Sequence, residues 1–322
     1  MSNVSELLGV PGLGDDLTLV EARLATSVAV ADPYLSDVAG HLLQAGGKRW
    51  RPLLATAAAR AGGRSVSEDV LWGGAAVELV HLGSLYHDDV IDQADTRRGV
   101  PSVNARWSNL VAVLAGDFLL AKASEIAAGL GTEIAGLLAA TIGRMCQGQV
   151  LELRDGFSLD RTEDAYLASI DGKTASLLST SARVGALTAG LDRAAVEAFT
   201  AFGHCVGVVF QICDDILDVI GTEEELGKPA GNDIVEGVYT LPVLRALRDS
   251  EAGPELRELL GRPVDAPTME KARDIVRATD GVAQAVVVAR EWADRAAAAA
   301  APVAGDTGLA SSGHRLIGTL PL

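Results

Sequence analysis

The chain is poor in several things. Only three of its 322 residues are cysteine, at 146, 205 and 213, and no Cys-x-x-Cys spacing occurs. A disulfide scaffold and a cysteine-ligated metal site are thereby excluded, and a reducing, cytoplasmic setting is expected. Aromatic residues make up 4 %. The apolar surface must therefore come from Ala, Leu and Val, and the abundance of Ala and Leu favours helices over sheets. Positive charge is scarce too. The 27 Lys and Arg against 43 Asp and Glu leave a formal net charge of −16, which argues against a nucleic-acid partner and against electrostatic docking on anionic lipid. No run of about 18 uncharged apolar residues is present, so no membrane span is expected. The most apolar stretch, Phe199 to Cys213, contains His204 and Gln211 and runs directly into two aspartates. The first residues, Met1 to Asp16, include the acidic pair Asp15–Asp16 and no basic leader, so no targeting signal is expected.

What is present is a large apolar fraction, 48 %, ample for a substantial core. Long, largely apolar segments free of internal proline predict helices over Leu71–Ala94, Ser108–Gly129, Thr132–Leu153, Ala165–Leu187 and Ala194–Ile220. No strand alternation bounded by hairpin turns is evident. Gly, Pro and charge predict loops at Gly46–Arg51, Thr96–Ser102, Arg154–Asp164, Gly221–Val238, Ser250–Thr268 and Ala304–Gly313. None reads as an interdomain linker. One all-α domain over residues 1–322 is expected, with Ala296–Ala301 as a helix end.

Two acidic motifs interrupt the apolar helices: Asp88–Asp89–Val90–Ile91–Asp92 and Asp214–Asp215–Ile216–Leu217–Asp218. Residues four apart share a helix face, so Asp88 projects with Asp92 and Asp214 with Asp218. Like charges on a core-facing surface repel and desolvate badly unless a cation joins them, and oxygen-only ligands suit Mg²⁺. A solvated helix end is the plainer reading of either motif alone; two copies in apolar helices favour the metal. Lysine occurs five times, at 48, 122, 173, 228 and 271, and three of these sit beside a glycine. Gly46–Gly47–Lys48–Arg49–Trp50–Arg51–Pro52 puts three cations in a tight loop entering a helix, which suits an anion. Arg97–Arg98–Gly99 follows the first acidic motif, where a basic helix C-terminus is an equal reading. Gly172–Lys173–Thr174 marks a kink or an ordinary exposed lysine, and Gly227–Lys228–Pro229 adds a cation in a loop.

In this order, from Gly46 to about Arg245, the residues Gly47-Lys48-Arg49-x-Arg51-Pro52, His81, His87-Asp88-Asp89-x-x-Asp92 with Arg97-Arg98-Gly99, Lys173-Thr174, Gln211-x-x-Asp214-Asp215-x-x-Asp218 and Gly227-Lys228-Pro229 through Thr240-Leu241-Pro242 resemble the trans-isoprenyl diphosphate synthases. The resemblance implies a single-domain, all-α helical bundle around a deep central cavity, as a homodimer. It implies Mg²⁺ held by Asp88, Asp92 and Asp214, with Asp215 and Asp218 in support, and catalysis by Asp88, Asp92, Asp214 and Lys173. Arg97, Lys173, Thr174, Gln211 and Lys228 would contact an allylic diphosphate. Lys48, Arg51, His81 and Arg98 would contact isopentenyl diphosphate. The implied reaction is a head-to-tail condensation of the two, growing an all-trans chain by one five-carbon unit.

Gly83 and Ser84 lie five and four residues before Asp88, where the family places bulky residues to stop growth. Both are small here, with Val80 and Val77 on the next turns, and a medium-to-long product is expected. Close helix packing is the alternative role for Gly83. A short-chain farnesyl or geranylgeranyl synthase and one subunit of a heteromeric synthase remain as alternatives. Val238 stands where many relatives carry a lysine, and the end Leu316 to Leu322 lacks a basic tail. A di-iron bundle is disfavoured because Glu78–Leu79–Val80–His81 is its one Glu-x-x-His element. A class I terpene cyclase would not need the Lys48 loop. His41 and His314 are expected at the surface, His204 as a satisfied helix residue, His87 either packing or orienting Asp88, and Glu223–Glu225 as a solvated loop face.

Overall fold

A computed structural model describes residues 4–222 and 230–322. The described residues are predominantly helical, with almost no strand. Up to the second acidic motif the helices are α1 (Val4–Leu8), α2 (Leu13–Val28), α3 (Pro33–Gln44), α4 (Trp50–Ala61), α5 (Glu68–Ile91), α6 (Val103–Arg106), α7 (Asn109–Leu130), α8 (Thr132–Arg154), α9 (Glu163–Ile170), α10 (Ser176–Thr188) and α11 (Arg193–Ile220). A π-helical turn, Asp171–Ala175, joins α9 to α10 without a break. The turn falls at Gly172–Lys173–Thr174, where the sequence allowed a kink or an ordinary exposed lysine. The five long helices predicted from the sequence are all present, with ends shifted by a few residues.

Local sequence fixes the starts. Ser67, Ser108, Thr162 and Asp192 each accept a backbone N–H of the first turn of α5, α7, α9 and α11. At the far end of α11, Arg273 and Arg277 donate to the carbonyls of Val219 and Gly221 at 2.9–3.1 Å, satisfying acceptors the helix leaves open. Two apolar clusters build the core. One gathers α5, α7 and α2 around Leu79, Leu82, Tyr86 and Leu119. The other gathers α4, α10, α11 and the helix Gly281–Ala300 around Leu54, Leu178, Phe202 and Ala289. Helix α11 is the one described helix long and apolar enough to cross a membrane, and 61 % of its most apolar window is buried inside the protein. It is a core helix.

Several sequence expectations need correction. Residues Thr96–Arg97 (β1) and Val100–Pro101 (β2) pair as a small antiparallel hairpin, where no hairpin was expected. Two residues per strand are too few to show an alternation. Trp50 already belongs to α4, because Arg49 caps it in the left-handed region at φ 54°. Helices also occupy Asn232–Glu236 and Gly253–Leu259, both within expected loops, and the helix Ser312–Ile317 begins in the last two residues of a third. His41 is buried rather than surface, its Nε2 2.7 Å from the Pro101 carbonyl. That partner lies on the hairpin, which local sequence does not reveal. His314 is exposed as expected, and Ala296–Ala301 does end a helix.

Candidate active site

The first acidic motif closes α5. Asp89 is fully buried and turns to Arg97, whose Nε donates to it at 2.7 Å. Asp88 and Asp92, four residues apart, share the other face. Burial pushes the Asp88 carboxyl up to about 6, with Lys173 and Arg97 opposing the shift and Asp92 adding to it. Burial raises Asp92 as well, against the same two cations. A carboxylate pair held this way is short of positive charge. Arg97 sits on β1, so it is a hairpin residue and not the tail of a helix.

The second motif divides its labour. Asp214 is exposed. Asp215 is buried, accepting from Tyr166 Oη at 2.5 Å and from Gln211 Nε2 at 2.7 Å, and burial pushes its carboxyl up to about 7. Gln211 passes the contact on: its Oε1 accepts from Thr174 Oγ1 at 2.7 Å. Asp218 is buried and accepts the backbone N–H groups of Asn232 and Asp233 at 3.3 and 3.2 Å. It caps the helix Asn232–Glu236, a role the even spacing of the motif did not foretell.

Between the motifs stands the Lys173–Glu152 ion pair, at 2.5 Å. Lys173 acts electrostatically on Asp88 and Asp92, and Glu152 on Asp92 and Asp215. Its carboxylate partners hold the Lys173 ammonium above its ordinary range against the opposing effect of burial. Glu152, Lys173, Thr174, Gln211, Asp215 and Val238 line one narrow pocket, which Tyr166 and Arg161 also border. Glu152 went unnoticed in the sequence because a lone glutamate near the end of an amphipathic helix carries no local signal.

The basic residues gather at the other side of Asp88. Arg49 points inward, 2 % exposed, and is held by Glu21 at 2.5 Å and Glu78 at 3.0 Å. Glu78 is thus engaged by an arginine, which removes the di-iron reading. Arg51, two residues on, has no ion-pair contact of its own among the described residues and feels Glu78, Arg98 and Asp88 electrostatically. Its Nε is buried without a partner, and burial pulls the guanidinium down to about 10. Burial, then Arg51, Arg98, Arg49 and Arg97, hold His81 well below the ordinary imidazole range, so it is neutral. Arg98, in the left-handed region at φ 55°, donates to the carbonyls of Leu42 and Gly46. Lys48 is exposed beside them. An orphaned guanidinium nitrogen beside further cations is a site prepared for an anion.

Of the residues picked out in the sequence, Asp88, Asp92, Lys173, Thr174 and Gln211 come together, and Arg51, His81, Arg97 and Arg98 adjoin them. Lys228 and Glu223–Glu225 lie outside the described residues. His87 packs on α7, with Nε2 3.1 Å from the Val113 carbonyl. His204 is satisfied by Asp171. A Cβ on Gly83 would stand 3.0 Å from the Gly116 carbonyl oxygen and 3.2 Å from Leu120 Cγ. Gly83 thus lets α5 approach α7 closely, which makes its alternative role the structural one. Ser84, half-buried, donates to the His81 carbonyl. The residues fit a hard cation: among the described residues no three acidic, His or Cys side chains form a ready cage, yet partly buried Asp88 and exposed Asp92 supply two hard oxygen ligands on one face, and Lys173 and Arg97 offset only part of the rise in their carboxyls. Water and phosphate oxygens complete such a shell in the usual Mg²⁺ site.

Comparison with known proteins agrees with this geometry. The profile of the family described as polyprenyl synthetase matches residues 32–277. The heptaprenyl diphosphate synthase component 2 of Geobacillus stearothermophilus is 42 % identical over 285 residues, covering 88 % of this chain and 88 % of that protein. The nonaprenyl diphosphate synthase of Mycobacterium tuberculosis is 42 % identical over 281 residues, covering 86 % and 83 %. Among solved structures, the polyprenyl synthase from Caulobacter crescentus, complexed with calcium and isoprenyl diphosphate, superposes with a TM-score of 0.90 at 32 % identity, covering 98 % of this chain and 97 % of that one.

Proposed function

The chain belongs to the polyprenyl synthetase family of prenyltransferases, and on that premise we propose that the whole of it is one catalytic unit, an all-trans polyprenyl diphosphate synthase that condenses isopentenyl diphosphate with an allylic diphosphate. The observation that supports this reading is the Lys173–Glu152 pair, whose members act electrostatically on aspartates of both acidic motifs.

The residues divide the work. Lys173, Thr174, Gln211, Arg97 and Lys228 hold the allylic diphosphate. Lys48, Arg51, His81 and Arg98 hold isopentenyl diphosphate, whose charge meets the unpartnered Arg51 nitrogen. Asp88, Asp92 and Asp214 would hold Mg²⁺, which supplies countercharge to the departing diphosphate. As the allylic C–O bond breaks, the bonding pair leaves with the diphosphate. Lys173 and Arg97 are in place to stabilise that charge without reorganising. The alkene of isopentenyl diphosphate then forms the new C–C bond, and the cation this leaves gives a proton to the released diphosphate, restoring a double bond.

A medium-to-long product is supported by the heptaprenyl and nonaprenyl synthases among the relatives and by the small Ser84 one turn before Asp88. Dimerisation is supported by large apolar side chains left exposed on α7 and α8: Leu110 at 69 %, Leu114 at 60 %, Val150 at 63 % and Leu153 at 56 %. The same face serves the second reading, a subunit of a heteromeric synthase, which the name of the Geobacillus relative favours. Free cysteines at 146, 205 and 213 are consistent with the cytoplasm.

Purified protein incubated with labelled isopentenyl diphosphate, Mg²⁺ and primers of several lengths, followed by product sizing, tests the proposal. Elongation that EDTA abolishes is expected. Full turnover in EDTA would overturn the metal assignment, and no elongation with any primer would favour the subunit reading. Ser84→Phe is expected to shorten the product.

A further inference from the structure

We propose that Asp171 and His204 are positioning residues, whose ion pair fixes the π-helical turn so that Lys173 and Thr174 meet the allylic diphosphate. The inference rests on the reading of Lys173 and Thr174 given above and extends it to residues outside the pocket.

A π turn carries one residue more than the α-helix around it and is intrinsically weaker, so it persists only where surrounding contacts over-determine it. Here the turn is clasped by two helices. A Cβ on Gly148 of α8 would meet Ser169 O at 2.7 Å and Gly172 C at 2.8 Å, and one on Gly207 of α11 would meet Ala175 Cα at 2.6 Å. Such bare backbone contact sets distance but grips rotation poorly. Asp171, the first residue of the turn, supplies the missing constraint. Its Oδ1 lies 2.5 Å from His204 Nε2 on α11, and its Oδ2 accepts from Arg144 on α8 at 2.8 Å. One carboxylate therefore ties the turn to both neighbours.

His204 is itself held. Its ring meets Trp292 edge-on, with centroids 5.6 Å apart, and Arg295 covers Trp292 at 4.4 Å. The bond to Asp171 is the largest cause of a rise in the imidazole to about 9, so the pair is charged on both sides at neutral pH. Lys173 is two positions on from Asp171, close to half a turn of helix. Asp171 thus faces away from the pocket while Lys173 lines it. Rotation of the turn about its axis would swing Lys173 away from Glu152 and break the Thr174–Gln211–Asp215 chain of hydrogen bonds.

The test measures KM for each substrate in the full-length protein carrying His204→Gln, Asp171→Asn, His204→Arg and, as a reference, Lys173→Ala. His204→Gln and Asp171→Asn should raise the allylic KM by about 5- to 20-fold while the isopentenyl KM stays within about twofold. His204→Arg, which restores a cation opposite Asp171, should return the allylic KM to within about threefold of wild type. A purely structural role would move both constants together, or neither, and either result overturns the proposal. So does an Arg variant as poor as the Gln variant. If Lys173→Ala raises the allylic KM and His204→Gln does not, the positioning role falls while the reading of Lys173 stands. If Lys173→Ala leaves it unchanged, both fall. Far-UV circular dichroism and melting curves identify any variant that fails to fold, and His204→Arg then carries the decision.

Discussion

Replacing Gly148 with alanine should act on stability and substrate binding at once. The added Cβ would fall against Lys173 N, Ser169 O and Gly172 C, the last two at 2.7 and 2.8 Å. All three are backbone atoms, so no rotamer change can relieve the overlap. Ordinary contact needs roughly 3.4–4 Å, so α8 and the π turn must part by something near 1 Å. Overpacking of this kind costs about 1–3 kcal/mol, and the upper end applies where the opposing atoms are backbone. Gly136→Ala on the same helix is the control. Nothing lies within 4 Å of its Cβ, so better helix propensity should stabilise by about 0.5–1 kcal/mol. Urea unfolding of both variants gives the two signs, and allylic KM should rise in Gly148→Ala alone. A Gly148→Ala protein as stable as wild type, or a Gly136→Ala protein destabilised to the same degree, would refute the close-approach reasoning.

Asp88→Asn and Asp92→Asn should each lower turnover on the order of 10²-fold or more. Melting temperature should hold or rise, because burial disfavours both charges; turnover assays beside thermal melts separate the two effects. Glu78→Leu should cost about 3–5 kcal/mol by leaving the buried Arg49 guanidinium short of a partner, and Arg49→Met in the same chain should recover much of that in urea titrations. The His204–Asp171 pair predicts a pH dependence. The folded imidazole at about 9 lies above its unfolded value near 6.5, so its contribution is complete below about pH 6.5 and fades as pH rises through about 9. Asp171 is more than a third exposed, which screens the effect to about 1–2 kcal/mol. Urea midpoints at pH 6 and 9.5 should therefore converge between wild type and His204→Gln at the higher pH, and a constant gap would contradict it.

The long helices were legible because their apolar runs are long and end at Gly, Pro or charge. Asp88 and Asp92 were legible because four-residue spacing survives folding unchanged. What stayed hidden depends on partners far along the chain. Spacing alone does not separate Arg49 from Arg51, although the resemblance singled out Arg51; the separation comes from Glu21 and Glu78, which pair with Arg49 while the Arg51 Nε keeps no partner. Glu152 acquires meaning only from Lys173, across the gap between α8 and the π turn. Asp218 looks like a supporting carboxylate of the second motif, and its bonds to the Asn232 and Asp233 N–H groups depend on a chain that returns from further along. At Gly83 the close-packing alternative has a direct correlate, the α7 backbone at Gly116, which its position before Asp88 does not announce.

The capping role of Asp218 has a mechanical consequence. The chain leaves α11 after Ile220 and returns at Gly231, whose N–H donates to the Asp218 carbonyl at 2.9 Å, while the Asp218 side chain moors the next two residues. Both ends of the intervening stretch are therefore fastened to the same few residues at the end of α11. Asp233 and Glu236 of the helix so moored line the pocket, so removing the Asp218 carboxylate would loosen one wall of the site without touching Asp214 or Asp215 directly.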